Sequence, residues 1–136
     1  MKNLLIFLLL VINIGNDNFE IEGLSNNYYT HENIQFYLTN NSSSKKFYYI
    51  SVDCYDNKTW SELINDVNNP KSNKSLIMEI LPSKRIKVNF PINKVFYMNN
   101  FLNFKLYRLK IVYGDSIQDL NYKYYSESFK IKRCKN

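Results

Sequence analysis

Residues 106–113 read LYRLKIVY, closed by Gly114-Asp115. Successive side chains of a strand point to opposite faces, so Tyr107, Leu109, Ile111 and Tyr113 share one face while Arg108 and Lys110 share the other. Large apolar residues at a period of two predict a half-buried strand, the strongest in the chain. Upstream, Asn33 to Thr39 repeats the pattern, with Ile34, Phe36 and Leu38 on one face. The turn-formers NNSSSKK (Asn40 to Lys46) follow, because their side chains compete for backbone hydrogen bonds. Phe47 to Tyr55 alternates again, placing Tyr48, Ile50, Val52 and Cys54 inward and Phe47, Tyr49, Ser51, Asp53 and Tyr55 outward.

Two shorter strands are expected at Leu76 to Leu81 and Lys84 to Phe90, separated by Pro82-Ser83 and stopped by Pro91, which cannot donate to a ladder. Ser126 to Arg133 sets Phe129 and Ile131 against Ser128, Lys130 and Lys132. With Phe19 to Glu22 the total is about seven strands, a spacing that predicts a single all-β domain: an immunoglobulin-like antiparallel sandwich. One helical element is expected, because Thr59-Trp60-Ser61-Glu62 fits a capping box from which one or two turns run to Val67. Trp60 is given a structural role there, and Asn68 to Ser75, with Pro70, a surface loop.

A chain of 136 residues, 45% hydrophobic and 22% charged, suits one core and neither a disordered tail nor two ordinary domains. Alanine is absent, asparagine occurs 21 times, and lysine outnumbers arginine 15 to 3. Such a bias follows A/T-rich codons, so the net charge of +6 is weak grounds for a nucleic-acid partner. Nucleic-acid surfaces favour arginine and gather charge into a stripe, whereas these lysines are spread along the whole chain. No nucleic-acid binding is expected.

Leu4 to Ile12, LLIFLLLVI, follows Met1-Lys2 and precedes the polar run Asn13 to Asn18. Nine apolar residues fall short of the roughly 20 needed to span a bilayer, so residues 1–15 are expected to be a secretory signal segment. Cleavage after Gly15 would leave a soluble domain over 16–136, secreted or periplasmic.

The turn Asn40 to Ser42, Leu81-Pro82, Leu106 to Tyr113 and the closing Tyr125 to Ile131 together resemble bacterial secreted immunoglobulin-like domains. The pattern also looks like the fold of the BsuPI-type proteinase inhibitor family. What the resemblance implies is a fold and export, not an activity. Tyr107 is also a candidate tyrosine corner, its ring in the core at the start of the penultimate strand.

No catalytic, cofactor or metal site is expected. His31, beside Glu32 in YYTHEN, reads as a turn residue, and with three glycines no G-x-G-x-x-G motif can exist. Asp53 and Asp56 supply too few oxygens for calcium, which takes six or more. Cys54 and Cys134 invite a disulfide, yet their opposite parities and a separation of two strands leave two free thiols equally open.

Two surfaces qualify for binding. The outward sheet face would present Phe47, Tyr49 and Tyr55 beside Arg108, Lys110, Lys130 and Lys132, suited to acidic glycans, lipid headgroups or an acidic protein, and Arg108→Ala or Lys130→Ala should leave stability unchanged. The run Val95 to Phe104, carrying Phe96, Met98, Phe101 and Leu102, would either plug the sandwich end or insert into a partner. The leading expectation is therefore a non-catalytic interaction module, with a BsuPI-like proteinase inhibitor and a carbohydrate-binding module as alternatives.

Overall fold

The computed structural model describes residues 18–63, 69–92 and 106–133. The signal segment, the Val95–Phe104 run with Phe96, Met98, Phe101 and Leu102, and Cys134 lie outside the described residues. In chain order the strands are β1 (Phe19–Glu22), β2 (Asn27–Tyr29), β3 (Asn33–Asn40), β4 (Lys46–Tyr55), β5 (Trp60–Leu63), β6 (Met78–Ile80), β7 (Arg85–Pro91), β8 (Leu106–Gly114), β9 (Tyr122–Tyr125) and β10 (Lys130–Lys132). One layer is antiparallel β1-β3-β7. The other runs β5-β4-β8-β9. Because β8 covers β4 from Phe47 to Tyr55 along one edge, β5 and β6 share the other, pairing with opposite ends of β4. A parallel pair, β10-β2, completes the fold.

The alternation expected for β3, β4 and β8 is present and makes the sandwich. Ile34, Phe36 and Leu38 of β3 are buried with Tyr48, Val52 and Cys54 of β4 and with Tyr107, Leu109 and Ile111 of β8 in one cluster. Phe19 bridges the layers, its ring edge-on to Tyr113 at 4.7 Å and 6.0 Å from Tyr48. Tyr107 is fully buried, stacks 6.3 Å from Phe129, and exchanges backbone hydrogen bonds with it at 2.9 and 2.8 Å. Its expected place in the core is the observed one.

The β3–β4 corner is organised by one side chain. Asn40 is wholly buried, and its Nδ2 donates to the carbonyls of Ser44, Ile80 and Leu81 at 2.9, 3.2 and 3.2 Å. Its Oδ1 accepts from the amide and hydroxyl of Ser42 at 3.0 and 2.7 Å. Its backbone pairs with Lys84 and Ser83, so one asparagine ties the turn after β3 to the turn between β6 and β7. Gly114 plays a steric part at the end of β8. A Cβ there would lie 1.7 Å from the carbonyl oxygen of Asp119, so no other residue fits without moving the backbone.

The structure corrects the helix expected from the capping box. Asp56 Oδ1 accepts from the amides of Lys58 and Thr59 at 2.9 and 2.8 Å, and Asn57 takes φ 79°. The side chain thereby closes a turn, and Trp60 to Leu63 return as β5 against Tyr55 to Val52. A strand puts Trp60 and Glu62 on one face, which a helix would not. Residues 64–68, the second half of the expected helix, lie outside the described residues.

Burial pushes the Tyr48 hydroxyl up from 10.0 to about 12. A raised pKa of this kind contributes stability that is complete below pH 10 and is lost as pH rises toward 12, because the unfolded chain gives up the proton first. Between those pH values the protein is expected to lose on the order of 2 kcal/mol more than its Tyr48→Phe variant does. Urea unfolding of both across that range checks this, and parallel curves would contradict it.

Candidate functional site

The outward faces of β4, β5, β8 and β9 meet in cross-strand rows. Glu62, Asp53 and Arg108 form one row, and Ser51, Lys110 and Tyr125 the next. Opposite charges thus stand across neighbouring strands, where side chains touch. Asp53 Oδ2 accepts from Nε and Nη2 of Arg108 at 3.2 and 3.1 Å. Lys110 Nζ lies 3.3 Å from Asp53 Oδ1 and 2.6 Å from Glu62 Oε2. The Arg108 guanidinium is held between two rings, 4.3 Å from the centroid of Trp60 and 3.9 Å from that of Tyr125.

The cluster is buried at its centre. The Asp53 and Lys110 side chains are 6% and 7% exposed, against 22% for Arg108 and 26% for Glu62. Burial works against the charge on Lys110, but its hydrogen bond to Glu62 and the negative charges of Asp53 and Glu62 outweigh that cost and hold its pKa above the ordinary lysine value. Burial, reinforced by Glu62, likewise raises the Tyr49 hydroxyl. Ser51 Oγ and Glu62 Oε1 are buried without a hydrogen-bond partner, and Asp53 Oδ1 has the Lys110 ammonium 3.3 Å away as its partner.

This geometry overturns part of the expected basic face. Phe47, Tyr49, Tyr55, Arg108 and Lys110 do share one sheet surface, with Phe47 and Tyr55 near opposite ends of β4. Lys130 and Lys132 do not join them. The strand beside β8 is β9, whereas β10 pairs with β2, leaving both lysines exposed elsewhere. Nor is the face a solvated patch of positive charge, since Arg108 and Lys110 are neutralised within the sheet. Arg108→Ala is therefore expected to cost stability rather than leave it untouched, because it would strip the buried Asp53 of two hydrogen bonds. Glu62 and Tyr125 were missed; the outward parity of Asp53 was visible, but its partners depend on strand order.

What this arrangement can do chemically is limited by its own contacts. A serine opposite a lysine suggests a nucleophile and its base, yet a base must be neutral, and Lys110 is held protonated by two carboxylates. Those carboxylates are in turn occupied by cations. The Cys54 thiol is buried, its pKa pushed up by that burial, and its Sγ lies 3.4 Å from the Ser61 carbonyl, which describes an inert thiol rather than a nucleophile. His31 is an exposed turn residue stacked on Tyr29 at 6.1 Å. Asp56 belongs to its turn. Among the described residues no group of three histidine, cysteine or carboxylate side chains is placed to hold a metal, and no helix is long and apolar enough to cross a membrane.

Beside Tyr49 the same sheet face opens into a groove of about 340 Å³ between residues 70–77 and the loop after β8. Tyr49, Pro70, Ile77, Ile117 and Leu120 contribute apolar surface to it, and Lys71, Lys74, Gln118 and Asn121 polar groups. The first wall is braced. Asn69 accepts from the amides of Lys71, Ser72 and Asn73, and Asn73 Oδ1 from the amide and hydroxyl of Ser75.

No family model and no curated protein sequence matches this chain. Among solved structures, a β-glucosidase from Listeria innocua in complex with isofagomine aligns at TM-score 0.44 and 10% identity, over 83% of this chain and 16% of the enzyme. The same enzyme in complex with gluconolactone aligns at TM-score 0.42 and 12% identity, over 83% and 15%. The chain therefore spans about a sixth of the length of those enzymes.

Proposed function

We propose that this chain is a non-catalytic interaction module that acts outside the cytoplasm, secreted or in the cell envelope, with a protein or a glycan as its partner. The observation that carries this reading is the closed cluster of Asp53, Glu62, Arg108 and Lys110, in which each group able to do acid, base or electrostatic work is held by an opposite charge. Such a cluster stiffens the middle of the sheet and leaves aromatic rather than charged surface around it, where Trp60 and Tyr125 flank Arg108. Neutralised cations also make this face a poor match for a phosphate backbone, whose affinity comes from cations free to displace counterions. The apolar run Leu4 to Ile12 supports the location.

A second reading, proteinase inhibition, is favoured by the braced segment from Asn69 to Ile77, since an inhibitor must present a rigid loop. Both readings are tested by incubating the purified protein with peptide, ester and glycoside substrates, a protease panel and a glycan array. The module reading expects saturable binding to one partner class without turnover. Stoichiometric loss of one protease's activity would select the inhibitor, and turnover abolished by Asp53→Asn would overturn both.

A further inference from the structure

The groove beside Tyr49 has a definite chemistry. One aromatic and three branched aliphatic side chains (Tyr49, Ile77, Ile117 and Leu120) line it together with two cations, Lys71 and Lys74. Neither lysine has a carboxylate partner among the described residues, whereas Lys45, Lys46, Arg85, Arg108 and Lys110 each do. A volume of about 340 Å³ lies at the small end of the range for ligand pockets and admits a few side chains rather than a folded domain. Ile117 is 43% exposed, so apolar surface is presented to whatever enters.

We propose that this groove binds an acidic peptide segment, one apolar side chain seating among Ile77, Ile117 and Leu120 while a neighbouring carboxylate meets Lys71 and Lys74. The inference rests on the reading of the chain as an interaction module and names the chemistry of its partner. Charge complementarity selects the occupant. A second copy of this chain would bring a net charge of +6 against lysines of the same sign. The amide groups of Gln118 and Asn121 in the lining offer donors and acceptors that a peptide backbone uses and a hydrocarbon tail does not. Seating needs little rearrangement on the side of residues 70–77, because Asn69 and Asn73 already fix that wall, and preorganisation lowers the entropic cost of binding.

The test is an array of N-acetylated octapeptides graded independently in acidic and apolar content, probed with the full chain. Binding is expected to rise with both properties together, to fall about tenfold in a Lys71→Glu/Lys74→Glu variant, and to weaken with salt. Ile117→Asp is expected to reduce it comparably. A Lys84→Glu/Lys87→Glu variant carries the same change in net charge elsewhere and is expected to bind within about twofold of the parent. Equal losses in the two lysine variants would reduce the effect to net charge and overturn the site. Binding that ignores acidic content, or no binding anywhere on the array, would overturn it too. Octanoate displacing the bound peptides while itself binding more tightly would assign the groove to an anionic lipid instead. In all of these outcomes, partner binding without turnover in the wider panel leaves the module reading standing.

Discussion

Lys110→Met is expected to destabilise the protein by about 3–5 kcal/mol, although methionine fills a similar space without a charge to bury. The loss arises from what stays behind. Asp53 keeps Arg108, but its Oδ1 loses the ammonium 3.3 Å away, and Glu62 loses a 2.6 Å contact, leaving carboxylate charge under-compensated where Asp53 is only 6% exposed. Removing the charge from both sides should restore much of the stability, so Lys110→Met/Glu62→Gln is expected to be more stable than Lys110→Met alone. A double-mutant cycle by urea denaturation measures that coupling. A Lys110→Met protein within about 0.5 kcal/mol of the parent would mean that the centre of the cluster is solvated, and the non-catalytic reading would lose its main support. The raised pKa of Lys110 adds a pH signature of the same sign as that of Tyr48. Its contribution is complete below the ordinary lysine value and is lost as pH climbs through the folded one.

Asn40→Leu is expected to cost a comparable amount, on the order of 3–5 kcal/mol, through orphaned polar groups rather than charge. Leucine matches asparagine in size but can neither donate to the carbonyls of Ser44, Ile80 and Leu81 nor accept from Ser42. Several of these groups would be left buried without a partner, each costing about 1–3 kcal/mol before any relaxation. Asn40→Asp is a sharper version, since it keeps the shape while turning a donor toward three carbonyl oxygens into an acceptor. The adjacent Asn41 is the control. Its side chain is exposed and, among the described residues, makes a single 3.3 Å contact, to Glu20, so Asn41→Leu should change stability by less than about 1 kcal/mol. Thermal unfolding of the three variants separates these outcomes; equal shifts for Asn40→Leu and Asn41→Leu would show that the corner is held by something else.

Much of the fold was legible from side-chain parity. The inward sets of β3, β4, β7 and β8 follow from the period of two alone, because a strand with one buried face must put its large apolar residues there. Where local signals competed, the reading failed. Thr59 to Glu62 carries a capping box, but Asp56-Asn57 two residues earlier carries a turn, and the pairing of Trp60 to Leu63 with β4 decided between them. The strands β2 and β9 were also missed. Each is three or four residues long, too short for a period to register, and β2 is held by β10, a partner about a hundred residues away.

By itself, then, the sequence determined an all-β chain, which residues of its long strands face the core, and where the principal turns fall, since those follow from alternation and from turn-forming side chains acting over a few residues. Strand order and what stands opposite what were decided by the tertiary structure alone. Arg108 and Lys110 read as a basic patch until β4 lies beside β8, with β5 on the far edge of β4, and brings Asp53 and Glu62 to them, while Lys130 and Lys132 leave the face because β10 pairs with β2. Charge on a sheet acts between neighbouring strands at about 5 Å, and which strands are neighbours is settled by how the layers bury the core, not by any local stretch of sequence.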